Sequence, residues 1–220
     1  MKIILAGSTG FVGQEVLKQC CESPQIDSIV VLSRRPLPQA LDHAKVNTII
    51  INDFTSYSQE TINVIADADG CIWTLGGSSS SPNVEIDFPM AFTQAMTRSW
   101  SQRLKPFRYV HCSGILAEKD QTKRLYFLQE GRRAKGQAEA DLMNFAVNSH
   151  QRDLWQTCVM RPSMVLPIQP NALQRISSFI IGGIMVDDLA RAAVDLTVNG
   201  NSKQILEHED LILLGKNVQQ

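Results

Sequence analysis

The sequence predicts an α/β fold, a doubly wound parallel sheet covered by helices in three layers, with a short C-terminal region for a substrate. Two observations carry the prediction. Short, nearly continuous apolar runs alternate with longer segments of helical periodicity, as expected for parallel strands buried on both faces. Three glycines, Gly7, Gly10 and Gly13, follow the first run directly and open the first helical segment. With 220 residues, 44% of them apolar, the chain can bury a full core, and a single domain over 1–220 is expected.

The strand candidates, in order, are Lys2–Ala6, Ser28–Ser33, Thr48–Asn52, Cys71–Leu75, Arg108–Ser113, Thr157–Arg161 and Leu211–Leu214. Between the first two, Val12, Val16, Leu17 and Cys20 form a helical stripe that Ser23-Pro24 ends. Long helices are predicted over Ile86–Trp100, starting or kinking near Pro89, and over Leu125–Val147. Near the end, Val186 to Ala190 reads as a helix start in which Asp187 or Asp188 caps free backbone amides. Two loops, Gly76–Asn83 and Pro167–Gln174, follow strand candidates. Ligands of open α/β sheets sit beyond the carboxyl ends of strands, so each loop is a candidate wall of a site.

Composition narrows the functional classes. With 21 basic and 22 acidic side chains the formal charge is -1, which provides no general attraction to nucleic acid or to an anionic membrane. No apolar stretch is long enough to span a bilayer, and the expected setting is cytoplasmic. The five cysteines show no metal-ligand spacing and read as reduced core thiols, so no metal is expected. A small-molecule ligand is the partner left, with a homo-oligomer or partner protein as an option.

Glycines destabilise regular structure, so a cluster beside a strand suggests that Cβ atoms would obstruct something. In a β-loop-α unit the first permits the tight turn and the second lets amides approach a pyrophosphate. The third brings the helix close to the strand. The anion would sit at the helix N-terminus, where unpaired N–H groups and the helix dipole favour it. At the end of the second strand candidate, Ser33, Arg34 and Arg35 stand where an acidic residue would select a ribose 2'-hydroxyl. Two guanidinium groups and a hydroxyl suit a 2'-phosphate, so NADP(H) is expected over NAD(H).

The segment "GSTGFVG", with Gly7, Ser8, Thr9, Gly10, Phe11, Val12 and Gly13, resembles the extended and atypical short-chain dehydrogenases/reductases, including NmrA-like proteins, whose fold is an NAD(P)-binding Rossmann fold. The resemblance continues in order along the chain. Asp53 and Phe54 look like the segment near the adenine, and Thr74, Leu75 and Gly76 like the turn lining the cofactor. "VHCSG" places Ser113 at the position of the catalytic serine or threonine. Pro162, Ser163 and Met164 look like the segment bordering the nicotinamide. What the resemblance implies is an oxidoreductase that transfers a hydride to or from a small carbonyl, alcohol or conjugated substrate.

Reductases of this type usually carry Tyr-x-x-x-Lys. Lys135 matches the lysine and shares a helical face with the apolar Ala138, Leu142 and Phe145, which implies that it points inward. Four residues before it stands Gly131, and no Tyr-x-x-x-Lys occurs in the chain. Tyr126 is the nearest phenol, but a continuous helix puts it opposite Lys135; His111 and Glu130 are the other candidate acids. Three readings stay open: an NADPH-dependent reductase using Ser113, Lys135 and Tyr126, a regulatory dinucleotide-binding protein, and a non-redox isomerase. Lys135 could also simply pair with Glu139 one turn on.

Overall fold

The computed structural model describes residues 1–77, 81–98, 100, 103–148, 154–174 and 182–217. The first apolar run forms β1 (Lys2–Ala6), followed by α1 (Phe11–Glu22), whose C-cap is Ser23 as predicted. Then come β2 (Ser28–Ser33), β3 (Val46–Ile50), α2 (Gln59–Ile65) and β4 (Gly70–Trp73). A π-helical turn, Asn83–Asp87, leads into α3 (Phe88–Arg98), and β5 (Phe107–Cys112) and α4 (Gln129–Asn148) follow. The chain continues through β6 (Trp155–Met160), β7 (Met164–Leu166), β8 (Gly183–Met185), α5 (Val186–Asn199), β9 (Ile205–Leu206) and α6 (His208–Asn217).

Seven strands form one parallel sheet in the order β3-β2-β1-β4-β5-β6-β9, and β7 and β8 pair separately. Alternation along the strands sorts their side chains onto two faces. Ile3, Leu5, Ile29 and Val31 pack with Val16 and Leu17 of α1 and with Leu189, Ala193 and Leu196 of α5. Ile4, Ala6, Val30 and Leu32 belong to the opposite cluster, with Ile65, Phe92 and Leu142 of α2, α3 and α4. That second layer is aromatic: Trp73 lies 5.3 Å from Phe92, and Trp155 5.0 Å from Phe107, between ring centroids. Each such side chain, fully buried, contributes roughly 1.5–3 kcal/mol of transfer free energy. No helix is long and apolar enough to cross a membrane among the described residues.

Several expectations need correction. Leu211–Leu214 is not the seventh strand but part of α6, and the strand is the two-residue β9 just before it. The third strand begins two residues earlier than predicted and ends at Ile50. The helix expected from Leu125 starts at Gln129, after Leu128 with φ of 48°, and the one expected from Ile86 is a π turn through Asp87. Residue 99, inside that expected helix, lies outside the described residues. Met185 is the N-cap of α5 and no side chain caps it; Asp187 and Asp188 instead pair with Arg191 one turn on. Four residues of helix turn both carboxylates towards that guanidinium rather than back to the amides.

Candidate functional site

The sheet order reverses between β1 and β4, and the turns after these strands are tied together. Thr74 donates its backbone N–H and its hydroxyl to the Ala6 carbonyl, both at 2.8 Å. Gly7 has a φ of +93°, and a Cβ there would lie 2.6 Å from the Thr74 backbone. A Cβ on Gly13 would come 2.0 Å from the Gly7 carbonyl oxygen, so the first turn of α1 lies directly against the loop. Gly10 is different, since a Cβ would meet only the Gly7 oxygen at 3.3 Å. It is the N-cap of α1, with no side-chain cap and no acidic residue in the first turn. The opening amides of α1 therefore have no capping side chain, and the buried Ser8 hydroxyl has no hydrogen-bond partner. Such a cradle fits an anionic group of a dinucleotide.

A cavity of about 420 Å³ opens beside this turn. Val12, Thr74 and Gly76 line one side, Ser113 and the Gly114–Ala117 segment the second, Gly131, Arg132 and Lys135 of α4 the third, and Pro162–Val165 the fourth. The elements explain the convergence: β4, β5 and β6 all end here, and α4 crosses above them. Gly136 lets α4 meet the loop after β5, because a Cβ there would be 1.9 Å from the Glu118 carbonyl oxygen. Arg132 secures the same loop by donating Nε–H to the Leu116 carbonyl at 2.9 Å, with its guanidinium over the Phe127 ring.

Lys135 points inward, as its helical face predicted, but its partner is not Glu139. Its Nζ donates to both oxygens of Glu85, at 3.2 and 3.0 Å. Glu85, on the π turn, is 0% exposed, and it also accepts from Gly77 N–H at 3.0 Å. Gly76, at φ +133°, has room for these oxygens only because it lacks a Cβ, which would be 2.7 Å from one of them. Glu139 is likewise 0% exposed; it accepts from the Ser113 hydroxyl at 2.6 Å and from Arg161 Nε at 3.0 and 3.1 Å. Arg161 also donates to Glu207 at 3.0 Å. Two buried carboxylates thus organise the site, and the sequence reading singled out neither as functional. The sequence offered Glu139 only as a surface partner of Lys135 one turn on, and the structure instead buries it against Ser113 and Arg161.

The other expected residues divide. Tyr126 is 88% exposed, precedes α4 and does not line the cavity. Glu130 is exposed as well. His111 is buried behind the cavity; burial, aided by the Lys135 charge, depresses its pKa to about 3 and keeps it neutral. None of these three lines the cavity. Gly131, where a phenol was sought, lines the cavity with bare backbone. Cys112 stays a thiol, its pKa pushed up to about 11 by burial.

Among the expected dinucleotide contacts, Thr9 and Phe11 are exposed beside the cradle, as are Arg34 and Arg35 after β2. Neither arginine forms an ion pair with a described residue, and Ser33 accepts from Arg35 N–H at 3.3 Å. Asp53 accepts from the Thr55 hydroxyl at 2.7 Å and from its N–H at 2.8 Å, and these bonds keep its carboxyl below the ordinary range. The Phe54 ring is buried against Trp73 and Phe88. Leu75 packs on the same core, while Pro162, Ser163 and Met164 line the cavity. The centre of the serine-rich loop, residues 78–80, lies outside the described residues. The Pro167–Gln174 loop does not reach this cavity; Pro167 and Ile168 border a separate groove along α1. The loop after β5 lines this cavity together with Pro162–Val165 from the C-terminal part.

No protein-family model matches the chain. The structure of Gre2 from Candida albicans, in complex with NADPH, superposes with a TM-score of 0.69 at 15% identity over 94% of this chain and 78% of that one. An oxidoreductase of the short-chain dehydrogenase/reductase family from Burkholderia thailandensis gives a TM-score of 0.64 at 15% identity, covering 99% and 94% of the two chains. Among curated proteins, leucinostatins biosynthesis cluster protein T of Purpureocillium lilacinum is 46% identical over 76 residues. That match spans 34% of this chain and 28% of the relative's length. The likeness to these solved structures establishes the fold, a Rossmann-type parallel α/β sheet.

Proposed function

We propose that this chain, which has the Rossmann fold of the short-chain dehydrogenases/reductases, is an NADP(H)-dependent oxidoreductase acting on a small organic alcohol or carbonyl compound. The observation that carries the reading is that the uncapped glycine turn shares a cavity with Ser113 and Lys135. The amides of the Gly7–Gly13 turn would hold the pyrophosphate. Ser33, Arg34 and Arg35 would hold the 2'-phosphate, and Lys135 the nicotinamide ribose. Backbone around Pro162–Met164 would border the nicotinamide. When bound, the dinucleotide supplies or accepts a hydride. The chain's own part is to orient the ligand, with Ser113 at its polar group and the loop after β5 excluding water from its apolar body.

The test is calorimetric binding of NADPH, NADP+, NADH and NAD+ to the wild type and to the Arg34→Ala/Arg35→Ala variant. Wild-type preference for the phosphorylated forms is expected, with the variant losing about ten- to a hundredfold in NADPH affinity and nothing for NADH. Equal affinities for NADPH and NADH in the wild type would remove the choice of cofactor, and no binding of any of the four would remove the enzyme. The absence of a phenol beside Lys135 favours a second reading, regulation by bound dinucleotide as in NmrA-like proteins. Tight binding without turnover of any carbonyl substrate would support it.

A further inference from the structure

We infer that Arg132 anchors an organic carboxylate, so that the small molecule taken by the cavity is an organic acid. This rests on the proposed use of the cavity for a small organic substrate and names the class to which that substrate belongs. The charged side chains lining the cavity are Lys135 and Arg132, and no carboxylate lines it among the described residues. Lys135 is already neutralised, since its ammonium faces both oxygens of the buried Glu85. Arg161, bonded to the same carboxylate as Ser113, is neutralised by Glu139 and Glu207. Arg132, half-buried, forms no ion pair with a described residue. The wall therefore carries one uncompensated positive charge.

The orientation of that charge is fixed as well. Arg132 gives its Nε–H to the Leu116 carbonyl at 2.9 Å, and its guanidinium carbon stands 5.0 Å from the centre of the Phe127 ring. These contacts hold the plane of the group and leave both terminal NH2 groups without a protein acceptor among the described residues. A guanidinium fork matches the two oxygens of a carboxylate. Beside it the wall is apolar, with Ile115, Leu116, Leu128 and Val165, which suits the hydrocarbon body of the same molecule and strengthens the ion pair by displacing water. A phosphate monoester would bring a charge of roughly −1.5 to −2 to a wall that balances only one, whereas a carboxylate matches it.

The test uses the full chain and two probes of one shape, 4-acetylbenzoate and 4-acetylbenzamide, whose dissociation constants are read by ligand-observed NMR with and without NADPH. The probes differ only in the exchange of an anionic carboxylate for a neutral amide. The wild type is expected to bind the carboxylate about tenfold tighter, the difference between a charge-assisted and a neutral hydrogen bond. Arg132→Gln should bring the two within about threefold by weakening the carboxylate alone, and Arg132→Lys, which keeps the charge and loses the fork, should fall between. The amide reports on the wall itself, because a variant that merely disturbed the loop after β5 would weaken both probes together. Equal binding of the two probes by the wild type overturns the inference, as does no binding of either. A ratio unchanged by Arg132→Gln overturns it too, by putting the carboxylate at another anion site such as the glycine turn. NADPH titration of the same samples separates the two levels. Loss of NADPH binding with the carboxylate preference intact removes the oxidoreductase and leaves the anchor at Arg132, whereas NADPH binding with both probes held alike removes the anchor and leaves the oxidoreductase.

Discussion

The two sides of the cavity are built by opposite means. The glycine turn beside the cavity is shaped by backbone, with three glycines within seven consecutive residues, of which Gly7 and Gly13 make contacts too tight for a Cβ. On the α4 side, Lys135 and Ser113 are held by buried carboxylates from distant parts of the chain: Glu85 and Lys135 are 50 residues apart, and Ser113 and Glu139 26. A local motif can specify the first wall, because covalent neighbours do the positioning. The second exists only when the sheet has brought β4, β5 and β6 side by side. The first should therefore fail when an atom is added and the second when a charge is removed.

The largest effect is expected on the charged side. Glu85→Ala leaves the Lys135 ammonium, 14% exposed, without its partner and should cost about 3–5 kcal/mol in a denaturant titration. Removing both charges together, as Glu85→Ala with Lys135→Met, should cost less than the single change. A double variant as unstable as the sum of the singles would show that the pair is not coupled.

On the glycine side, Gly13→Ala should cost about 3 kcal/mol, the upper end of overpacking penalties, since its new methyl would meet the Gly7 carbonyl. NADPH binding should be lost even where the protein stays folded. Retained binding would mean that the turn can open without harm.

A smaller effect concerns pH. His111 is held neutral in the fold down to about pH 3, while in the unfolded chain it protonates below its ordinary value of 6.5. The unfolded state then binds the extra proton, so stability falls as pH drops through the window from 6.5 to about 3. One unit below the ordinary value the loss is about 1.4 kcal/mol. Melting temperatures measured across that window should fall more steeply for the wild type than for His111→Leu; parallel curves would exclude His111 as the cause. The smallest effect is expected for Tyr126→Ala, within about 0.5 kcal/mol and with NADPH affinity unchanged, because that side chain stands in solvent.

What could be read from the sequence follows the same division. β1, β2, the helix between them and the glycine turn are local patterns, and the two strands have the predicted bounds. Leu211–Leu214 misled because four apolar residues satisfy a strand and a helix alike. Glu209 and Asp210, in the first turn of α6, were the available sign of a helix. β9, with two residues, is too short to leave a period. Glu85 was invisible for another reason: a carboxylate between Val84 and Ile86 reads as a solvent-facing residue until a cation 50 positions away is known to lie against it. Lys135 and Glu139 stand one turn apart and could be read as a surface pair, and helix geometry could not say that each would take a different, buried partner.

The π turn at Asn83–Asp87 has a consequence for insertions and deletions. It holds about one residue more than an α-helical turn of the same rotation, so it takes up an extra residue between the β4 loop and α3. Deleting a residue after Glu85 and rewinding the rest as ordinary α-helix would keep the flanking segments nearly in phase but move Glu85 one residue closer to α3. Glu85 would lose its bearing on Lys135 while the aromatic core under α3 stayed in register. In this segment the length of the chain constrains the site as tightly as the identity of its residues.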